Sequence, residues 1–169
     1  KLGVRDVEAP DARRAWVLTI GEGEASRIYF TADAGATWTE QYRGKAGKGV
    51  LDGIAFFDDA TGLAYGDPVD GDFEILRTTD GGENWRHVPG EAIPDALKGE
   101  AGFAASGTGI CVVGSRHAWI CTGGGGKVRV LRSTDAGLTW EVSATPMGAS
   151  KSSSGCLLYT SDAADESSS

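Results

Sequence analysis

One eight-residue pattern occurs three times in this chain and constrains its fold more than any other feature. Thr31-Ala-Asp33-Ala-Gly35-Ala-Thr37-Trp38 returns as Thr78-Thr-Asp80-Gly-Gly82-Glu-Asn84-Trp85 and again as Ser133-Thr-Asp135-Ala-Gly137-Leu-Thr139-Trp140. The shared pattern is Ser/Thr-x-Asp-x-Gly-x-Thr/Asn-Trp. Asp33, Asp80 and Asp135 stand 47 and 55 residues apart, the length of a four-stranded unit with its loops. Each copy follows a β-rich run: Arg27-Ile-Tyr-Phe30, Phe73-Glu-Ile-Leu-Arg77 and Val128-Arg-Val-Leu-Arg132. The pattern therefore reads as a strand ending in a turn. The aspartate accepts backbone N–H groups, the glycine supplies a positive φ, and the tryptophan opens the returning strand and covers the hairpin. On this reading Thr31, Asp33, Gly35, Trp38, Thr78, Asp80, Gly82, Trp85, Ser133, Asp135, Gly137 and Trp140 are structural and not a catalytic set.

Two further strands precede each turn. Val4–Val7 and Ala15–Ile20 flank the turn Pro10–Arg13; Gly53–Phe57 and Leu63–Tyr65 flank Asp58–Gly62; Ile110–Val113 and Ala118–Thr122 flank Gly114–His117. A strand after each turn, such as Trp38–Tyr42 or Trp140–Ser143, makes four per unit. The units are 1–43, 44–89 and 90–155. Successive four-stranded meanders of this length stack radially, so the expected fold is all-β: a β-propeller fragment of about three four-stranded antiparallel blades. Composition agrees, with 26 glycines, one methionine and short apolar runs broken by turn formers. No run approaches the roughly 18 apolar residues that span a bilayer.

Residues 156–169 stand apart. Cys156-Leu-Leu-Tyr-Thr-Ser-Asp-Ala-Ala-Asp-Glu166 resembles a translated sequencing-library adapter and is set aside as non-native. Without Asp162, Asp165 and Glu166 the formal charge moves from −8 to −5. A mildly acidic chain with no lysine and arginine stripe is not built for nucleic acid. Cys111 and Cys121 fall on the two strands of one hairpin. A five-residue loop sets them opposite each other and a four-residue loop on a diagonal, so they either form a disulfide in an oxidising compartment or pack as thiols. Their spacing does not suggest zinc.

The repeats resemble the Asp-box, or bacterial neuraminidase repeat, β-propellers, a group that includes sialidases, sortilin-type receptors and the photosystem II assembly/stability-factor family. The likeness is strongest to the bacterial photosystem II assembly-factor-like propellers. It rests on Gly66-Asp-Pro-Val-Asp-Gly71, on Gly99-Glu-Ala-Gly-Phe-Ala-Ala-Ser-Gly107, and on Arg116-His-Ala-Trp-Ile120 followed by a glycine run. This resemblance implies about seven blades in the complete protein, with blades of the same chain missing here, and export to the periplasm or beyond.

In propellers, the loops between second and third strands and between blades share one face, and the turns before the fourth strand lie on the other. That sorting puts Glu22, Glu24, Asp67, Asp70 and Asp72 on the ligand-type face as binding residues, with the flexible run Thr122–Lys127. The connection from Pro89 to Thr108 brings Glu100 and Ser106 there. Glu100, beside the apolar run Phe103–Ala105, is the candidate catalytic carboxylate, because partial burial raises a carboxyl pKa. Carboxylate pairs also suit Ca²⁺, yet Asp67, Asp70 and Asp72 do not follow the EF-hand spacing. No metal, no cofactor and no catalytic triad are expected. The expected function is a non-catalytic binding or assembly-factor-like propeller that holds a protein or glycan partner on its loop-rich face. The rival is a sialidase-like glycoside hydrolase whose catalytic set lies partly in missing blades.

Overall fold

The computed structural model describes residues 3–46, 49–102 and 107–148, so Ser106 and the adapter-like tail lie outside the described residues. Three antiparallel sheets follow one another along the chain. The first holds β1 (Gly3–Glu8), β2 (Ala15–Ile20), β3 (Arg27–Thr31) and β4 (Thr39–Arg43). The second holds β5 (Leu51–Phe56), β6 (Gly62–Val69), β7 (Asp72–Thr78) and the two-residue β8 (Arg86–His87). In the third, β10 (Ile110–Val113), β11 (His117–Gly124), β12 (Lys127–Ser133) and β13 (Glu141–Gly148) are joined by an extra strand, β9 (Glu100–Gly102), which pairs with β11. Two single turns of 3₁₀ helix, Gly23–Ala25 and Gly90–Ala92, are the only helical elements among the described residues. Among the described residues no helix is long and apolar enough to cross a membrane.

The sheets stack through two apolar layers. Trp16, Leu18 and Ile28 of blade 1 pack on Leu51, Ile54, Phe56 and Leu76 of blade 2, with the Trp16 ring stacked on Phe56 at 3.9 Å. Tyr65, Phe73 and Ile75 of blade 2 pack on Ile110, Ile120, Leu131 and Trp140 of blade 3. Strands alternate between these layers as the pleat requires, and the first strands, β1, β5 and β10, lie side by side along the inner edge.

The repeated turn has the same wiring in all three copies. Thr31 Oγ1 donates to Asp33 Oδ1 (2.8 Å) and accepts from the Gly35 N–H (2.9 Å), while Asp33 accepts from Thr37 N (2.8 Å) and Thr37 Oγ1 (2.7 Å). Thr78, Asp80 and Asn84 repeat this pattern, as do Ser133, Asp135 and Thr139. This explains why the pattern tolerates Ser or Thr at its first position and Thr or Asn at its seventh: each supplies one donor to the carboxylate. These hydrogen bonds, chiefly from Thr37, hold the Asp33 pKa down at about 2. Each turn also docks on its neighbours. The N–H groups of Ala34, Gly81 and Ala136 donate to the first hairpin of their own blade, and the carbonyls of Gly81 and Ala136 accept from side chains of the preceding blade, Gln41 and Arg77. The tryptophans share one position but not one environment, since Trp38 is 45% exposed and Trp140 6%.

Two expectations need correction. The glycine run is not a flexible loop: β11 continues through Gly124, and Gly125 and Gly126, with φ of 56° and 81°, form a two-residue hairpin turn into β12. The cysteine hairpin has a three-residue loop, because Val113 pairs with His117 and Cys111 faces Trp119. Cys111 and Cys121 are therefore offset along the strands, and no disulfide joins them.

Candidate functional site

In a meander the turns before the second and fourth strands lie at one end of the blade, and the turn before the third strand lies at the other, beside the connections between blades. The hydrogen bonds follow this division. Gly23 N–H donates to Gly49 C=O, Gly44 N–H to Ser26 C=O and Ala96 N–H to Gly71 C=O, tying second-to-third turns to interblade connections. Glu22 precedes and Glu24 lies within the first 3₁₀ turn at this end, and Asp67, Asp70 and Asp72 belong to the β6–β7 hairpin, whose turn is Asp70-Gly71 with φ of 55° and 104°. These carboxylates share a face but do not form one cluster. Glu22, Glu24, Asp70 and Asp72 are exposed, whereas Asp67 turns inward.

The inward group is built from β-bulges. Val4 pairs with Thr19 and Asp6 with Leu18, leaving Arg5 as the extra residue; Leu51 pairs with Gly66 and Gly53 with Tyr65, leaving Asp52; Gly66 pairs with Glu74 and Pro68 with Phe73, leaving Asp67. A bulge re-aims its side chain out of the alternation, and these three converge at the inner edge. Arg5 ion-pairs with Asp52, whose side chain is fully buried. Asp67 accepts from the Gly102 N–H of β9 at 2.9 Å. Beside them Asp6 accepts from Ile54 N–H at 3.0 Å, so blade 1 is bonded to blade 2 and blade 2 to blade 3. One arginine thus stands among three carboxylates.

That imbalance sets the protonation. Burial, opposed by the Arg5 hydrogen bond and reinforced by the Asp67 charge, raises the Asp52 pKa to about 6. Burial also raises Asp67 and Asp6. Among the described residues no nitrogen or hydroxyl donor faces Asp52 Oδ2; its neighbour is the Asp67 carboxyl, whose charge and hydrogen bond add to burial in raising Asp52.

At the equivalent level of blade 3 the inner strand is interrupted. Gly102 pairs with Thr122, Ile110 pairs with Ile120, and Cys121 N–H donates to Gly109 C=O, so the pairing with β11 passes from β9 to β10 at this level.

Glu100, the first residue of β9, has the reverse of its expected properties. It is 5% exposed, and it accepts from Arg129 Nε (2.9 Å) and Nη2 (2.5 Å), from Thr122 Oγ1 and from Leu97 N–H (2.7 Å). Burial alone would raise its pKa, but the bonds from Arg129, Thr122 and Leu97 together outweigh that and lower it. Glu100 is an ionised acceptor with its lone pairs occupied, so it has no proton to donate at neutral pH.

Arg5, Asp6, Asp52 and Arg129 were not anticipated from sequence. The available signal was a charged residue inside an otherwise apolar inner strand, as in Leu51-Asp-Gly-Ile54. Among the described residues no group of three or more His, Cys, Asp or Glu side chains is arranged to hold a metal ion.

No family model matches the chain, and no curated protein sequence matches it. Solved structures do. The structure of YCF48 bound to D1 peptide matches with a TM-score of 0.56 at 20% identity, covering 83% of this chain and 40% of that one. The GH74 xyloglucanase from Xanthomonas campestris matches with a TM-score of 0.55 at 18% identity, covering 83% of this chain and 21% of that one. Identities this low establish the propeller fold and nothing finer. The chain spans less than half the length of either protein.

Proposed function

We propose that this chain is part of a non-catalytic β-propeller that holds a protein partner on the face carrying the second-to-third turns and the interblade connections. The observation that carries this reading is the state of the carboxylates. Glu100, Asp67 and Asp52, the buried or half-buried acids at this end, are all engaged in bonds within or between blades; of the two with a raised pKa, Asp52 has no exposed side-chain surface and Asp67 is tied to the Gly102 N–H of blade 3. A glycosidase needs an acid and a base that both reach the scissile bond. The exposed carboxylates Glu22, Glu24, Asp70 and Asp72 instead form a polar rim. The matching propeller YCF48 binds a peptide, and this supports a protein partner over a glycan. The resemblance to exported propellers makes the periplasm or cell exterior the proposed place of action.

Photocrosslinking tests the proposal. A benzoylphenylalanine placed at Glu22 or Asp70 in the complete reading frame is expected to capture one discrete partner protein in cells, and the same group at Thr37, in a repeated turn on the opposite face, is not. Turnover of any member of a glycoside panel, abolished in Asp52→Asn or Asp67→Asn, would establish the hydrolase and end the scaffold reading.

A further inference from the structure

The outer edge of blade 2 is incomplete. β4 pairs β3 from Arg27 to Phe30 and β13 pairs β12 from Lys127 to Arg132, but β8 pairs only Leu76 and Arg77 of β7. One more bond follows, from Val88 N–H to Ile75 C=O at 2.8 Å, and the chain then leaves the sheet at Pro89, which has no N–H to continue a ladder. On its other side β7 is paired by β6 as far as Asp72. Asp72–Glu74 is therefore held as strand from within while, among the described residues, no strand lies along its outer side. Since Ile75 C=O points outward, the two-residue alternation points the N–H and C=O of Phe73 outward as well.

The space where a longer fourth strand would run is a cleft of about 310 Å³. It straddles the edge of β7. Tyr42, Lys45 and Glu74 line it on the blade 1 side, with Tyr42 Oη donating to Glu74 Oε1 at 3.3 Å; Phe73, Val88 and Gly90 line it on the blade 3 side. Such a pair of walls suits the two faces of an extended peptide, whose successive side chains point in opposite directions. The acids Asp72 and Glu74 outnumber the single lysine, Lys45, so the charge favours a basic side chain. Three extended residues cover roughly 10 Å, the length of the bare edge.

We propose that an extended segment of a partner protein adds as a strand to the outer edge of β7 at Asp72–Glu74. It exchanges backbone hydrogen bonds with Phe73, sets an aliphatic side chain over Phe73 and Val88, and presents a lysine or arginine to Asp72. This specifies one docking mode for the protein-binding face and rests on that reading.

The test uses an acetylated, fluorescein-labelled hexapeptide of alternating valine and lysine, read by anisotropy and by amide hydrogen exchange. The expected result is saturable binding with about tenfold slower exchange at Phe73 N–H. Methylating the peptide nitrogens that face β7 is expected to weaken binding about tenfold, and exchanging lysine for glutamate to weaken it by a similar factor. Asp72→Lys, at an exposed position that does not threaten folding, is expected to reverse the preference between the lysine and glutamate peptides. Binding that is indifferent to N-methylation, binding that leaves Phe73 exchange unchanged, or no binding of the valine–lysine peptide each overturns strand addition. The crosslinks at Glu22 and Asp70 judge the protein-binding face separately, so the two readings fail by different results.

Discussion

Gly35 and Gly137 occupy the same place in the repeated turn, with φ of 85° and 84°, yet a methyl group would meet different surroundings at each. At Gly137 an added Cβ would lie 2.4 Å from Leu63 Cδ2 of the preceding blade, whereas at Gly35 the nearest atom is Trp38 Cζ2 at 3.6 Å. Gly35→Ala is therefore expected to cost only the left-handed backbone, about 1–2 kcal/mol, and Gly137→Ala to cost a further 1–3 kcal/mol, roughly, for the overpacked leucine. Urea midpoints of the two variants check the difference. Asp52 gives a prediction in pH. Its folded pKa of about 6 lies above the ordinary 3.8, so the native state binds the extra proton and stability falls as pH rises from about 4 to about 6. Asp33, Asp80, Asp135 and Glu100 are lowered instead, so their contribution is present above the unfolded value and is lost as pH falls through the folded value. Stability is expected to peak near pH 4–5, roughly, and Asp52→Asn should flatten the alkaline side of that peak in a pH series of thermal melts.

At the scale of elements, β9 depends on one buried ion pair. Replacing Glu100 by glutamine leaves Arg129, itself 9% exposed, without its countercharge, and a broken buried pair typically costs about 3–5 kcal/mol. Exchange at the β9-paired residues Thr122–Gly124 should accelerate more than exchange in blade 1; equal acceleration throughout would show that β9 does not open by itself. The same element shows where sequence reading stops. The third strands and repeated turns were legible because their chemistry is local: a β-rich run, then Thr or Ser, Asp and Gly at fixed offsets. β9 was not, because Glu100-Ala-Gly102 carries no periodicity and becomes a strand only by pairing with β11, 20 positions on at Thr122↔Gly102 and 24 at Gly124↔Glu100. Arg5, Asp52 and Asp67 were hidden for a related reason. A bulge is a relation between two strands, and Val4-Arg-Asp-Val7 alone reads as plain alternation. Glycines 123–126 misled because the same residues serve a loose loop or, as here, a strand end and a tight turn with positive φ.

Across the whole molecule the blades are equivalent in sequence but not in surroundings. Val4, Val7, Val17 and Trp38 of blade 1 hold the register positions at which blade 2 places Leu51, Ile54, Ala64 and Trp85 against its neighbour. Leu51 and Ile54 are 0% and 2% exposed, while Val4 and Val7 are 62% and 57% exposed. Contiguous apolar surface of this kind drives association, so the chain by itself is expected to oligomerise with rising concentration in light scattering, and Val4→Lys with Val7→Lys to suppress it. A monodisperse wild-type monomer would count against this. The contact pairs unlike surfaces, the bare side of blade 1 on one molecule with the far side of blade 3, where Val113 is exposed, on the next. Such head-to-tail contacts are heterologous and do not close on a two-fold axis. Growth therefore has polarity: a Val4→Lys, Val7→Lys chain can receive no neighbour on its blade 1 side yet still offers blade 3. A small fraction of it mixed with wild type should act as a chain terminator and shorten the oligomers.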